Sequence, residues 1–430
     1  MKNTRTGANQ PALRSHNTAL VLDLLRTAGP AGLSRPELAE RTGLTPQAVS
    51  KITARLRTEG LAADAGQRAS TGGKPATALR LVPEAGHAVG VHLDRDQLTA
   101  VLVDLAGMVV GVRQAPLDLG APAEVVLGAI EEAVRGVTGS VGVGGARRGP
   151  AQGGSRRPAQ GRSQGGSPAA APLGVGVAMP GPLDHAAGVP HRVTGHPQWD
   201  GYPLRDELAR RLGGVVVLDK DTNAAALGLA LRAGAPESFA YLHLGTGLGA
   251  ALILGGAPYR GARTGAGEFG HQTVQLDGPP CGCGGRGCLE VLCLGAVERG
   301  DVAEAARVLG TGAANLVALL DVDRVVLGGR IVEAEPEAFV RGVGEVLRAL
   351  ARRRTGAGPG APVPVGVAGS VYAVAEGAAQ LVLAPVFGKG GGEGVGEGLG
   401  EGRGEGVGQG VGEGLGYDVG GDGRDGSALI

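Results

Sequence analysis

A chain of 430 residues with 41 basic and 41 acidic side chains carries no net charge, so bulk attraction to nucleic acid or an anionic membrane is excluded and any such contact must come from local clusters. The length is too great for one small core and predicts two or more domains. The 83 glycines dilute the weight of any single Gly match, no apolar run approaches the roughly 20 residues a membrane helix needs, and the polar start is unlike a signal peptide.

Residues 1–16 are polar and are expected to form a flexible N-terminus. From Asn17 the pattern turns helical, with Leu20, Val21, Leu24 and Leu25 on one stripe, until a Gly-Pro-Ala-Gly turn at 29–32. Ser34 followed three residues later by Glu37, with Pro36 in the first turn, opens a second helix. Gly43 breaks it, and Thr45 caps a third helix that runs to about Glu59 and turns Val49, Ile52 and Leu56 inward. Two helices about a Gly-containing turn read as a helix-turn-helix. The outward face carries Gln47, Ser50, Lys51 and Arg55, side chains able to reach base edges or phosphates. Beyond Gly60 the chain reads as a two-stranded wing with a basic, Gly-rich tip from Arg68 through Lys74 to Pro75. A protein-interaction module with a solvated polar face is the plain alternative.

From His87 the period changes to two. AVGVHLD, LTAVLVDL and MVVGVR read as three strands, followed by a helix in PAEVVLGAIEEAVRGV. Residues 139–171 form a basic insertion with a degenerate RRGPAQGG repeat, no acid and almost no large apolar residue, and are expected to be disordered. The pattern resumes at LGVGVAMPGPLD, a strand entering a Pro-Gly-Pro turn. VVVLDKDTNAAALGLA then gives a buried strand, a turn and a helix, with Asp221 read either as a helix cap or as a functional carboxylate.

Strands FAYLHLG and GAALILGG flank a Gly-rich turn, Gly245 to Gly249. Next comes the stretch GEFGHQTVQLDGPPCGCGGRGCLE, which places Cys281, Cys283 and Cys288 in a C-x-C-x4-C array ten residues after His271. Three thiolates and an imidazole make a closed set of the kind structural zinc prefers. Cys293, five residues past Cys288, leaves an all-cysteine set open. Clustered thiols of this kind point to a reduced, cytoplasmic compartment. DRVVLGG, a helix from about Glu333 to Arg354, strand VPVGVAG and helix VYAVAEGAAQLVL follow. From 387 a Gly/Glu-rich tail without a packable face is expected to be disordered.

G-E-F-G-H followed by C-x-C-G-x-x-G-C-L-E resembles the signature of the ROK family, which groups sugar-responsive repressors with sugar kinases. The resemblance implies an α/β chain. A winged helix-turn-helix at 17–84 would precede a two-lobed, actin-like (ribonuclease-H-like) domain at 85–386, interrupted at 139–171 and followed by the tail at 387–430. It implies structural Zn2+ on His271, Cys281, Cys283 and Cys288. It also implies a sugar site formed by Asp221, Asn223, Glu268, His271 and Glu290, in which Asp221 aligns with the base that deprotonates the sugar hydroxyl and Lys220 replaces the usual Asn. The resemblance to the repressors' DNA-binding domain favours operator contacts by Thr45, Gln47, Ser50, Lys51, Arg55, Arg68 and Lys74.

The family's kinases carry a D-x-G-G-T phosphate loop between the first two strands, where this chain has Leu93-Asp94-Arg95-Asp96. A phosphate cradle needs close backbone amides, and two carboxylates occupy the turn. No catalytic residue is therefore assigned, Asp221 being a vestigial base, and ATP-dependent phosphorylation is not expected. The sequence reads as a cytoplasmic transcriptional repressor, homodimeric or of higher order, with operator DNA and a sugar or sugar phosphate as partners and no membrane. Its rivals are an ATP-dependent sugar kinase with an added DNA-binding domain and a ligand-independent DNA-binding protein with a decayed pocket.

Overall fold

The computed structural model describes residues 10–67, 77–139, 171–232, 234–355 and 361–389. The sequence expectations for Arg68, Lys74, the basic insertion at 140–170 and the tail from 390 lie outside them.

Helix α1 spans Gln10–Ala28, so the helix begins seven residues before the expected start at Asn17. Val21, Leu22 and Leu25 form its buried stripe. Strand β1 (Leu33–Ser34) leads into α2 (Arg35–Thr42), where Ser34 and Glu37 form the expected reciprocal capping box. Gly43, at φ 68°, ends α2, and Thr45 accepts the Ala48 amide at the start of α3 (Pro46–Thr58). Strands β2 (Ala62–Gln67) and β3 (Thr77–Leu81) pair antiparallel, and β1 joins the other edge of β3 to complete a three-stranded sheet.

Two sheets of one topology follow. The first is built from β4 (His87–Leu93), β5 (Gln97–Asp104), β6 (Val109–Pro116), β7 (Val175–Met179) and, after the short pair β8 (Leu183–Asp184) and β9 (Val189–Pro190), β10 (Val216–Lys220). Helix α4 (Ala123–Gly139) follows β6, α5 (Leu204–Leu212) precedes β10, and α6 (Asp221–Ala230) leaves it directly. The second sheet contains β11 (Phe239–Leu244), β12 (Leu248–Leu254), β13 (Ala257–Pro258), β14 (Arg324–Gly328) and β15 (Val365–Val367). Its helices are α7 (Leu289–Glu298), α8 (Val302–Leu320), α9 (Arg330–Ala334), α10 (Pro336–Thr355) and α11 (Ala373–Leu383).

The strand orders are β6-β5-β4-β7-β10 and β13-β12-β11-β14-β15. In both, the first three strands in the chain pair antiparallel and the last two join in parallel. In the register, Val91 of β4 faces Ala100 of β5 and Val177 of β7. A central strand covered on both faces reads as a nearly continuous apolar run, which is why β4 and β7 are so rich in valine.

The first sheet packs Val91, Leu98 and Val177 against Ile130 of α4 and Leu208 of α5. The second packs Leu242 and Leu327 against Leu309 of α8 and Phe339 and Val343 of α10. The single helix expected from about 333 to 354 is two elements, because Pro336 opens α10 anew where its missing N–H costs nothing. Helix α8 is, among the described residues, the one helix long and apolar enough to cross a membrane. Here its Ala305, Leu309 and Ala313 belong to the second core.

Helix α11 ties the parts together. A Cβ on Gly377 would lie 1.9 Å from the Ala224 carbonyl oxygen of α6, and one on Gly176 of β7 would lie 1.8 Å from that of Ala378, so these glycines permit backbone approach that no other residue allows. At its far side, Ala379, Leu383 and the following Phe387 share a core with Val21, Leu25 and Leu79 of the N-terminal unit. Arg26 stacks over the Phe387 ring at 4.8 Å, and Lys389 pairs with Asp23 at 3.2 Å.

Candidate functional site

The strand-to-helix junction between β10 and α6 delivers three charged residues in succession. Asp219 turns away from the cleft and is only 2% exposed. Its Oδ2 accepts Nε and Nη2 of Arg260 at 3.0 and 2.6 Å, and its Oδ1 accepts the Lys220 amide at 2.8 Å and Nδ2 of Asn223 at 3.0 Å. Lys220 and Asp221 face the cleft between the two sheets. Burial raises the Asp221 carboxyl above its usual range against the opposing pull of His243 and Lys220, and the Thr222 amide donates to its Oδ1 at 2.6 Å. A carboxylate so held suits accepting a hydroxyl proton or hydrogen bond.

The cleft is lined by Asp221, Glu268, His271 and Glu290 of the sequence-expected site, joined by Arg95 of the first hairpin turn and by His243, which sequence reading did not single out. Asn223 does not line it. Its side chain is buried, with its NH2 donating to Asp219 and its Oδ1 without a hydrogen-bond partner among the described residues. Lys220 lies close enough to Asp221 to pull on its carboxyl, and its Nζ donates to Glu268 Oε1 at 2.7 Å and to the Gly267 carbonyl at 2.9 Å.

In the first hairpin turn, Asp94 Oδ1 accepts the hydroxyl of Thr246 from the opposite Gly-rich turn at 2.6 Å, and Arg330 grips the exposed Asp96 at 2.9 and 3.0 Å. The two hairpin turns are thus linked to one another. In the second turn the Leu248 amide donates to Glu290 Oε2 at 2.8 Å.

His92 lies behind this turn, its ring edge-on to His243 at 6.3 Å. Burial pushes its pKa from 6.5 down to about 4, outweighing the attraction of Asp94. A histidine that stays neutral in the fold but protonates near 6.5 when unfolded takes up no proton in the native state between those values. Stability is therefore expected to fall as pH drops from about 6.5 to 4, by on the order of 3 kcal/mol from this group. Asp94, held below its usual range by the Thr246 hydroxyl and by His92 in spite of its burial, adds a loss in the same direction at lower pH. In His92→Gln the slope of unfolding free energy against pH should flatten across that window, as read by urea titrations at successive pH values.

The cysteine loop hangs from the single helical turn Phe269–His271. Gly287 sits at φ 58° and a Cβ there would lie 1.7 Å from the Gln275 carbonyl oxygen, so only glycine lets the loop close back on itself. The donor atoms of His271, Cys281, Cys283 and Cys288 all lie within 4.8 Å of one another. His271 Nδ1 is 3.7 Å from Cys281 Sγ, and Cys283 Sγ is 3.8 Å from Cys288 Sγ. Two metal–sulfur bonds of about 2.3 Å at a tetrahedral angle put the sulfurs roughly 3.8 Å apart, so the set fits a tetrahedral ion. The four residues could hold a metal. Cys293 is buried within α7, with its thiol directed at the Ala305 carbonyl at 3.6 Å, and lies outside the set.

On α3, Gln47, Ser50 and Lys51 are exposed. Arg55 is exposed too, but it bonds the Thr18 hydroxyl at 3.2 Å and Glu59 at 3.4 Å. The Thr45 hydroxyl is occupied as the helix cap.

A duplicated five-stranded sheet facing an acidic cleft, with a loop of one histidine and three cysteines at its rim, defines an α/β chain with a two-lobed, actin-like domain of the kind found in sugar kinases. The model of the ROK family matches residues 166–301 of the chain. The chain is 26% identical over 286 residues to a xylose repressor of Bacillus subtilis, covering 66% of this chain and 67% of that protein. A ROK hexokinase from Thermus thermophilus superposes with a TM-score of 0.51 at 28% identity, over 68% of this chain and 96% of the other. A ROK family transcriptional regulator described as a homologue of the E. coli MLC protein covers 87% of this chain and 97% of its own, with a TM-score of 0.63 and 18% identity, a likeness of fold alone. The chain spans 67% of the length of that xylose repressor and 59% of the length of a protein from Caldicellulosiruptor named only as a putative xylose repressor.

Proposed function

We propose that this protein is a DNA-binding transcriptional regulator, acting as a repressor, whose hold on its operator responds to a sugar or sugar phosphate bound in the cleft. The observation that carries the reading is mechanical continuity. Residues 17–84 are read as a winged helix-turn-helix with α3 as the recognition helix, and their core is shared with α11. Helix α11 packs on α6, which begins at Asp221 on the cleft floor. A ligand that moves Asp221 therefore acts on an element in backbone contact with the support of the DNA-reading unit. The likeness to a xylose repressor favours the same reading.

Sugar hydroxyls would meet Asp221, Glu268, His271 and Glu290, with no catalytic step. The hexokinase neighbour keeps an ATP-dependent sugar kinase as the rival. Against it stand the carboxylates of the first hairpin, tied to Thr246 and Arg330, in the turn where a polyphosphate would need glycine amides and not acidic side chains. The loop metal is assigned as structural Zn2+ on His271, Cys281, Cys283 and Cys288, fixing the segment that carries Glu268 and Glu290. A cytoplasmic homodimer or higher oligomer reading two half-sites completes the proposal.

The test uses a duplex selected by the full chain from a random-sequence pool. Lys51→Ala should lower affinity and reduce the slope of log K against log salt by about one, as expected for a lost phosphate contact. Replacing Gln47, Ser50 and Lys51 together by Ala should abolish selective binding in fluorescence anisotropy. Unchanged binding by that triple variant would remove α3 from the interface.

A further inference from the structure

Resting on the sugar-cleft reading above, we infer that Lys220 is a built-in occupant of the effector site, one that competes with the sugar for Glu268 and restricts the effector to a neutral sugar able to displace it. The stem of Lys220 crosses the cleft floor. A Cβ built on Gly181 would lie 3.1 to 3.4 Å from three of its methylene carbons, so the stem runs over that glycine. The ammonium ends on Glu268 and the Gly267 carbonyl, and the side chain is 8% exposed. What remains of the cavity is about 70 Å³, against roughly 300–1,000 Å³ for sites that enclose small ligands. The lysine therefore fills space a ring would need and holds the carboxylate that would receive its hydroxyls.

Charge decides between occupant and anchor. The lining offers four carboxylates, Asp94, Asp221, Glu268 and Glu290, against the two cations Lys220 and Arg95. An anionic sugar drawn to Lys220 would enter among these acids and leave Glu268 without its partner, a costly arrangement away from water. A neutral polyol meets no such repulsion. Glu268 is itself 38% exposed, so once the lysine swings aside the released carboxylate is open to new donors.

Calorimetric titration of the full chain with xylose, glucose, N-acetylglucosamine and glucuronate provides the test. Two variants are compared with wild type, Lys220→Asn, which shortens the side chain, and Lys220→Met, which keeps the stem and removes the charge and donors. Thermal unfolding of each variant first establishes that it is folded. At least one neutral sugar should bind Lys220→Asn ten times more tightly than wild type or better, with a smaller gain in Lys220→Met and no gain for glucuronate. Equal or weaker binding of neutral sugars by both variants overturns the inference while leaving the cleft as a sugar site. Tight glucuronate binding by wild type that is lost in Lys220→Met overturns it in favour of an anion anchor. Silence of all three proteins towards every sugar overturns the sugar-cleft reading, and this inference with it.

Discussion

Asp219→Ala is expected to lower folding stability by about 3–5 kcal/mol, the range for breaking a buried ion pair from one side. The carboxylate is 2% exposed and accepts four hydrogen bonds, two from Arg260, one from the Lys220 amide and one from Asn223. Its removal strands the Asn223 amide in the interior and leaves Arg260 without its partner. Because the Arg260 side chain is 23% exposed and can draw on water, the low end of the range is favoured. Asp219→Asn should cost less, since its amide oxygen can still accept the Lys220 N–H, although its NH2 would oppose the guanidinium. Guanidinium-induced unfolding, read as a shift in midpoint at constant slope, measures both. A stability within about 0.5 kcal/mol of wild type for Asp219→Ala would mean that desolvation of the pair cancels its attraction. The same carboxylate caps the junction that holds Lys220 and Asp221 in the cleft, so sugar affinity should fall alongside stability.

The elements of the fold were legible where local chemistry dictates them. The Ser34–Glu37 box, the left-handed Gly43 and the valine-rich β4 and β7 each carry their instruction in a few adjacent residues, and those helices and strands occur where expected. The start of α1 was not legible, because Gln10 to His16 has no apolar periodicity and its helix extends a strongly packed one. The break at Pro336 was missed because the apolar pattern continues on either side of it.

The cleft divides the same way. Glu268, His271 and Glu290 belong to one contiguous motif, so sequence spacing alone brings them together. The side-chain partnerships depend on residues far apart in the chain, such as Asp94 with Thr246, Asp96 with Arg330 and Lys220 with Glu268. Nothing in the local sequence of Arg260 marks it as the partner of Asp219. Asn223 illustrates the converse. Its place in the first turn of α6 aligns it with a hydroxyl-binding position, yet Asp219, four residues earlier in β10, accepts from its amide.

The cysteine loop yields the second large effect. Purified protein is expected to carry one zinc per chain by plasma mass spectrometry, as is Cys293→Ala, whereas Cys288→Ala and His271→Ala should carry little or none. The separation follows from geometry, since Cys293 points at a backbone carbonyl inside the second core while the other three sulfurs and His271 Nδ1 converge on one point. Structural zinc contributes about 10–16 kcal/mol to the folding of isolated zinc-finger peptides. Here the second sheet supplies its own core, so only the loop depends on the ion. If removing zinc withdraws even about 3 kcal/mol, Tm should fall by roughly 6–12 °C for a domain of 150–250 residues. Because the ligands bind as thiolates, a chelator should strip the ion more readily as the pH is lowered. Glu268 and Glu290 stand on either side of the loop, so the metal-free protein should also lose sugar affinity while Cys293→Ala keeps it. Metal retained in His271→Ala but lost from Cys293→Ala would instead establish the all-cysteine set and require α7 to unwind at its first turn.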